Sequence, residues 1–252
     1  MRTQMELITP IITEGIRNLD DVRPLERPDL SVSHTLIQQG PASIELEFDE
    51  ALSVPDTIRK AMDAERNGAN AIIIDCMGDP GLHACREVVT IPVLGPCQTA
   101  LHTAGLLGRA FAFVTVLNRL SSMLAKLVAS YGLNDSYASF RAVDIPVLDI
   151  AQNLGALNTA LAREAIAAVR QDHADVIVLG CNGFLGCAGS IRQALLSEGL
   201  DVPVIDRIPL RIHIADALVK AGLSHSKLTY PPLGRKALKG FSFPEFATPV
   251  SR

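Results

Sequence analysis

The sequence predicts an α/β fold of two pseudo-symmetric lobes, each a mostly parallel sheet flanked by helices, with the functional site in the cleft between them. Three observations predict it. Branched apolar runs alternate along the chain with stretches of helical spacing, the pattern of parallel strands joined by helices. The chain also echoes itself: Ala69-Asn70-Ala71-Ile72-Ile73-Ile74-Asp75-Cys76 aligns with Ala174-Asp175-Val176-Ile177-Val178-Leu179-Gly180-Cys181. Finally, both of these apolar runs stop at a cysteine and turn through glycine, and in parallel sheets ligands bind beyond the carboxyl ends of the strands.

In chain order, Met5 to Thr9 reads as a first strand and Ser31 to Ile37 as a second, closed by Gly40-Pro41. Ala51, Val54, Ile58, Ala61 and Met62 give helical spacing from Asp49 to Asn67, interrupted at Pro55 and stopped at Gly68. Strand Ala71 to Asp75 brings Cys76; a helix from Pro80 to Val89, a short strand at Val93-Leu94 and a helix from Gln98 to Leu107 follow. Next come strand Ala110 to Val116 and helix Arg119 to Tyr131, ended by Gly132. The second half opens with an extended segment from Phe140 through Val143 and a connection holding Pro146. A helix from Leu154 to Gln171, strand Val176 to Leu179, a helix from Gly183 to Leu196, strand Val204-Ile205 and a helix from Leu210 to Lys220 complete it.

The echo extends to Ile91-Pro92-Val93-Leu94-Gly95 against Val202-Pro203-Val204-Ile205-Asp206, and to Ala104-Gly105-Leu106 against Ala221-Gly222-Leu223. The offset grows from 105 to 111 to 117, so the second copy carries insertions. The expected division gives residues 1–105 and 206–252 to the first lobe and 106–205 to the second.

The 252 residues suffice for two such lobes. A net charge of -4 gives no reason to expect nucleic acid, whose backbone rewards clustered Lys and Arg. The stretch from Ser226 to Arg252 is locally basic, with Lys227, Arg235, Lys236, Lys239 and Arg252 against Glu245, and reads as an irregular tail packed on the body or on a neighbouring subunit. No apolar run approaches the ~18 residues that span a bilayer, and no secretory signal is visible. Five cysteines without scaffold spacing then read as free thiols in the cytoplasm.

Thiolate is the reactive form, and a helix amino terminus stabilises it. Cys76 and Cys181 are both expected in that setting. As equivalents in a duplicated fold they would face each other, which suits inversion at a carbon next to a carbonyl: one thiolate removes the proton and the other thiol returns one to the opposite face. Backbone N–H groups of Met77-Gly78-Asp79 and Asn182-Gly183 would stabilise the enolate oxygen, and no cofactor is required. Cys85 and Cys97 read chiefly as helix residues, and Cys187 as a local rival for Cys181. Asp79 either caps the helix after Pro80 or meets a ligand. The absence of Cys-x-x-Cys and His-Glu-x-x-His spacing argues against a metal site. Gly180, Gly183, Gly186 and Gly189 recur every three residues but match no phosphate-loop pattern.

The residues Gly40-Pro41-Ala42-Ser43-Ile44-Glu45, Cys76 with Asp79-Pro80-Gly81-Leu82, Arg86-Glu87, Gly95 with Cys97-Gln98, Val114-Thr115, Ile145-Pro146-Val147-Leu148, Val178-Leu179-Gly180-Cys181 and Val202-Pro203-Val204-Ile205-Asp206 carry a family resemblance. From about Gly40 to Tyr230 the chain resembles the aspartate/glutamate/hydantoin racemase superfamily, most closely its hydantoin racemase branch. The resemblance implies cofactor-independent racemisation by Cys76 and Cys181, a small-molecule substrate and a homo-oligomer. It also implies substrate contacts at Pro10, Ile11, Ser43, Met77, Gly78, Thr115, Val116, Asn182, Gly183 and Phe184. The sequence departs from the family pattern in three places. Thr9-Pro10-Ile11-Ile12-Thr13 stands where Asn-Pro-Asn-Thr is usual, Thr115-Val116 where Thr-Thr is usual, and Gly180-Cys181-Asn182-Gly183-Phe184 where Gly-Cys-Ala-Gly-Met is usual. The pocket is therefore expected to be more apolar near Ile11, Val116 and Phe184.

The expected activity is that of a racemase or epimerase on 5-monosubstituted hydantoins or a related cyclic ureide. Allantoin or an amino acid is the nearest substrate variant, and decarboxylation or cis-trans isomerisation, as in superfamily relatives, is the alternative chemistry. A ligand-binding protein without chemistry and a thiol redox protein are the readings from other classes.

Overall fold

The computed structural model describes residues 2–15, 19, 22–145, 154–180, 186–241, 243 and 246–248. Two four-stranded sheets, parallel throughout, organise it. The first joins β1 (Thr3–Thr9), β2 (Leu30–Leu36), β3 (Ala71–Ile74) and β4 (Val93–Leu94) in the order β2-β1-β3-β4. The second joins β5 (Phe111–Thr115), β6 (Tyr137–Ala142), β7 (Val176–Leu179) and β8 (Val204–Ile205) in the order β6-β5-β7-β8. The order is the same in both, so the sequence echo is a structural repeat. Strands β3, β5 and β7 are buried at every position, as unbroken apolar runs require when helices cover both faces of a parallel sheet.

The helices are α1 (Glu47–Arg66), α2 (Leu82–Val88), α3 (Pro96–Leu107), α4 (Ser121–Ser130), α5 (Leu154–Asp172), α6 (Cys187–Ser197) and α7 (Arg207–Lys220). Ala61 and Ala64 of α1 and Leu82 and Cys85 of α2 cover one face of the first sheet, and Ile208, Ile212, Ala215 and Val219 of α7 cover the other. Leu157, Leu161, Ala165 and Ala168 of α5 and Ile191 and Leu195 of α6 pack in the core of the second sheet.

Helix α3 follows the last strand of the first sheet, yet its Cys97, Ala100, Leu101 and Ala104 are buried in the core of the second. Helix α7 follows the last strand of the second sheet and packs on the first. The two halves thus exchange their terminal helices, and α3 and α7 lie against each other. The expected division of the chain keeps residues through 105 with the first sheet; the buried face of α3 lies with the second.

Several boundaries differ from those read in the sequence. Helix α1 runs unbroken through Pro55. A proline removes one helical hydrogen bond, but Asp56 beside it accepts from the Gln39 N–H at 3.0 Å and Thr57 donates to the Ser53 carbonyl at 2.8 Å, so packing on both sides holds the helix. Helix α7 starts at Arg207 rather than Leu210 because Asp206 caps it, accepting from the Ile208 N–H at 3.2 Å. The tail after α7 contains a small parallel pair, β9 (Lys236–Ala237) with β10 (Ala247–Thr248).

Candidate active site

The strand ends define the site. Cys76 stands two residues beyond β3 and is half-buried. Just before it, the buried Asp75 holds its N–H on the Ile8 carbonyl at 2.7 Å. Its carboxylate accepts from Arg211 at 2.6 Å and from the Thr9 hydroxyl at 3.1 Å. This buried pair ties α7 to the strand that delivers the thiol.

After Cys76 the chain turns tightly. The Asp79 N–H returns to the Cys76 carbonyl at 3.0 Å, and Asp79 (φ 51°) and Gly81 (φ 71°) both adopt left-handed conformations before α2 begins at Leu82. Gly186, entering α6 with φ 69°, repeats the position of Gly81 in the second half.

Asp79 caps a helix, but not the one that follows it. Its carboxylate accepts from the Cys97 and Gln98 N–H groups at 3.0 and 2.8 Å, at the start of α3, and from the Tyr131 hydroxyl at 2.7 Å, just past α4. Gly95 makes room for it: a Cβ there would lie 2.4 Å from the Asp79 Cγ.

The charges around the thiol are negative. Burial above all, and then Glu50, Asp79 and Asp75, push the Cys76 thiol well above its ordinary pKa, opposed by a hydrogen bond from the Gly78 backbone. This corrects the expectation of a helix-stabilised thiolate: α2 starts six residues beyond Cys76, leaving its dipole out of reach, and carboxylates occupy the space instead. Burial and the charges of Asp79 and Glu47 raise Glu50 to about 7, and burial raises Asp79 to about 6 against its three donors.

The remaining predicted contacts that are described lie after β1, in the loop before α1, in the Cys76 turn and at the end of β5. Pro10 and Ile11 follow β1 and are buried. Their loop is tied to the loop before α1 by the Ile12 N–H on the Pro41 carbonyl at 3.0 Å and the Thr13 hydroxyl on the Ala42 carbonyl at 2.7 Å. Half-buried Ser43 follows directly. Met77 and Gly78 lie buried in the Cys76 turn, with Met77 reaching the core of the second sheet.

Thr115 and Val116, at the end of β5, are fully buried. Ile8 lies opposite Ile74 and Val114 opposite Leu179, so Thr115 repeats Thr9 and Gly180 repeats Asp75. Where Thr9 bonds Asp75, the Thr115 hydroxyl has no partner among the described residues; it lies against Gly180, where a Cβ would come within 2.4 Å of the Thr115 Cβ. Cys181, Asn182, Gly183 and Phe184 lie outside the described residues.

Cys85 is buried against the first sheet, where burial pushes its thiol up to about 12. Cys187 is buried on α6. Cys97 is also buried, yet it sits close enough to Asp79 and Cys76 for their charges to raise its pKa further. Among the described residues no group of His, Cys, Asp and Glu has the arrangement of a metal centre, and no helix is long and apolar enough to cross a membrane. Sequence reading missed Glu50 and Tyr131. The spacing of Glu50 and Val54, one helical turn apart and opposite Gly78 and Gly81, is the signal that finds the first.

The chain is similar to known racemases. The family described as Asp/Glu/Hydantoin racemase matches residues 21–216. A hydantoin racemase of Rhizobium meliloti is 38% identical over 239 residues, spanning 94% of this chain and 97% of that one. A hydantoin racemase of Pseudomonas sp. (strain NS671) is 37% identical over 220 residues, 87% and 86% of the two chains. Among solved structures, an allantoin racemase from Klebsiella pneumoniae superposes with a TM-score of 0.87 at 28% identity, covering 97% of this chain and 99% of that one.

Proposed function

Because the chain belongs to the Asp/Glu/hydantoin racemase family, we propose that it is an isomerase that inverts the carbon next to a carbonyl in a cyclic ureide, a 5-monosubstituted hydantoin first and allantoin second. The observation that carries the reading is Cys76, half-buried at the carboxyl end of β3, while Cys85, Cys97 and Cys187 are buried in cores.

In this mechanism Cys76 and Cys181 exchange the roles of base and acid with the direction of reaction. The Cys76 environment favours the neutral thiol, so the unliganded site holds Cys76 as the acid. An enantiomer whose proton faces Cys181 loses it there and receives one from Cys76 on the other face. The enolate oxygen meets a backbone donor: no hydrogen bond reaches the Met77 N–H among the described residues, whereas the Gly78 backbone is engaged with Cys76. Pro10, Ile11, Ser43, Thr115 and Val116 in this reading shape the pocket, together with Asn182, Gly183 and Phe184. A cytoplasmic homo-oligomer is part of it; the free thiols of Cys76, Cys85 and Cys97 support the compartment, and the exposed Leu46, Phe48 and Leu52 at the start of α1 offer contact surface.

The test is incubation in D2O with single enantiomers of substituted hydantoins, allantoin and aspartate, following optical rotation and the α-proton signal together. Rotation should decay to zero as deuterium enters the product. Cys76→Ser and Cys181→Ser should each lower the rate by about 10²–10⁴-fold. A protein that exchanges no α-proton above the buffer blank would refute the assignment.

A further inference from the structure

One carboxyl stands over the Cys76 turn with no partner of its own. The start of α1 directs Glu50 and Val54 at that turn, and both meet glycines: a Cβ on Gly78 would lie 3.4 Å from the Glu50 carboxyl, and one on Gly81 would lie 3.2 Å from Val54 Cγ1. The two glycines let α1 close over the segment that holds the thiol. The neighbouring acids are engaged. Glu47 pairs with Lys126 at 2.5 Å, Asp49 accepts from the N–H groups of Glu45 and Leu46 at 3.1 and 3.0 Å, and Glu45 pairs with Arg119. No hydrogen bond or ion pair reaches the Glu50 carboxyl among the described residues, and it is half-buried at the edge of solvent.

Two-base racemisation creates a task for such a group. When a turnover leaves Cys181 carrying the substrate's proton and Cys76 without one, the enzyme cannot accept the same enantiomer again. A net proton must leave one thiol and reach the other. Cys76 sits half-buried between the buried Met77 and the engaged Asp79, and the carboxyl without a partner beside that turn is Glu50.

We propose that Glu50 is the proton-exchange group of Cys76, carrying its proton to and from solvent between turnovers. The inference rests on the racemase reading. In the step, a Glu50 O–H bond breaks and the Cys76 S–H bond forms, directly or through one water; Glu50 then regains a proton from water or buffer, and Cys181 releases one to the same pool. The facing titratable groups are Glu47 on its own helix, Asp79 and Cys76 in the turn, and Cys97 on α3. The first two, with burial, bring Glu50 to about 7, where a carboxyl gives and takes protons in neutral solution.

The experiment compares the unaltered protein with Glu50→Gln and Glu50→Asp. With Glu50→Gln, kcat at saturating substrate should fall about tenfold or more while kcat/KM stays within about twofold, because reset of the free enzyme follows product release. Raising the buffer concentration should restore kcat, and Glu50→Asp should retain part of it. A second readout needs no substrate: Cys76 alkylation by iodoacetamide at pH 8, followed by peptide mass, should become several-fold faster in Glu50→Gln, since a negative charge near the thiolate is gone. Equal loss of kcat and kcat/KM without buffer response, or unchanged kinetics and alkylation, would overturn the proposal alone. No racemisation by the unaltered protein would overturn the reading beneath it, and the alkylation comparison still reports whether Glu50 and Cys76 are coupled.

Discussion

Asp79 belongs by sequence to the turn after β3, yet its three donors come from the start of α3 and from Tyr131 beyond α4. It does for α3 what Asp206, at the repeat position of Gly95, does for α7 from within its own helix cap. Replacing Asp79 by Asn puts an NH2 group where a backbone N–H or the Tyr131 hydroxyl donates. Asp79→Asn should destabilise the protein by about 1–3 kcal/mol in urea or thermal unfolding. Tyr131→Phe, which removes only the contact from α4, should cost less. The sequence leaves open whether Asp79 caps its own helix or meets a ligand, because its true partner begins eighteen residues later. The signal was present in the repeat: a glycine at position 95 opposite a capping aspartate at 206 marks a helix whose cap comes from elsewhere. Cys76 was legible as the strand-end thiol, but not its acidic surroundings, since Glu50 arrives from a helix more than twenty residues upstream.

At the level of elements, β4 forms one edge of the first sheet, and side chains cover it. The Val93 N–H donates to His225 Nε2 at 2.8 Å, and the Val93 carbonyl accepts from Arg86 at 3.0 and 3.1 Å. Tyr230 completes the cover, its hydroxyl 3.1 Å from Arg86 and its ring stacked on His83. Burial, followed by the charge of Arg86, lowers the His225 pKa to about 4, so the folded protein holds it neutral. The unfolded chain binds this proton near pH 6.5. The stabilisation is therefore complete above pH 6.5 and is lost as pH falls from there toward 4. Amide exchange at Val93 should accelerate through that window, and His225→Gln should remove this dependence. The tail reads in the sequence as irregular chain on the body or on a neighbouring subunit; Tyr230 rests on the body, while β9 and β10 pair with each other. Its attachment was not legible, because a histidine satisfying an edge strand leaves no periodic trace in sequence.

Across the whole molecule, the exchange of α3 and α7 makes the two halves one unit. Leu101, fully buried on α3, belongs by chain order to the first half and by packing to the second. Leu101→Ala should lower stability by about 2–5 kcal/mol, and calorimetry should still record one transition with both sheets melting together. Sheet type and repeat were legible because parallel strands are unbroken apolar runs and the second copy retains the first one's pattern; the strand order within each sheet was not read from the sequence. The destination of α3 was not: an amphipathic helix declares that it has a buried face, not which sheet receives it.

The helix exchange also sets what each half could be alone. Parted between α3 and β5, either piece would end in an apolar helix with no bed in its own sheet, and could bury it only by lending it to another chain while borrowing that chain's in return. The join near Gly108 therefore connects two pieces that each complete the other's core.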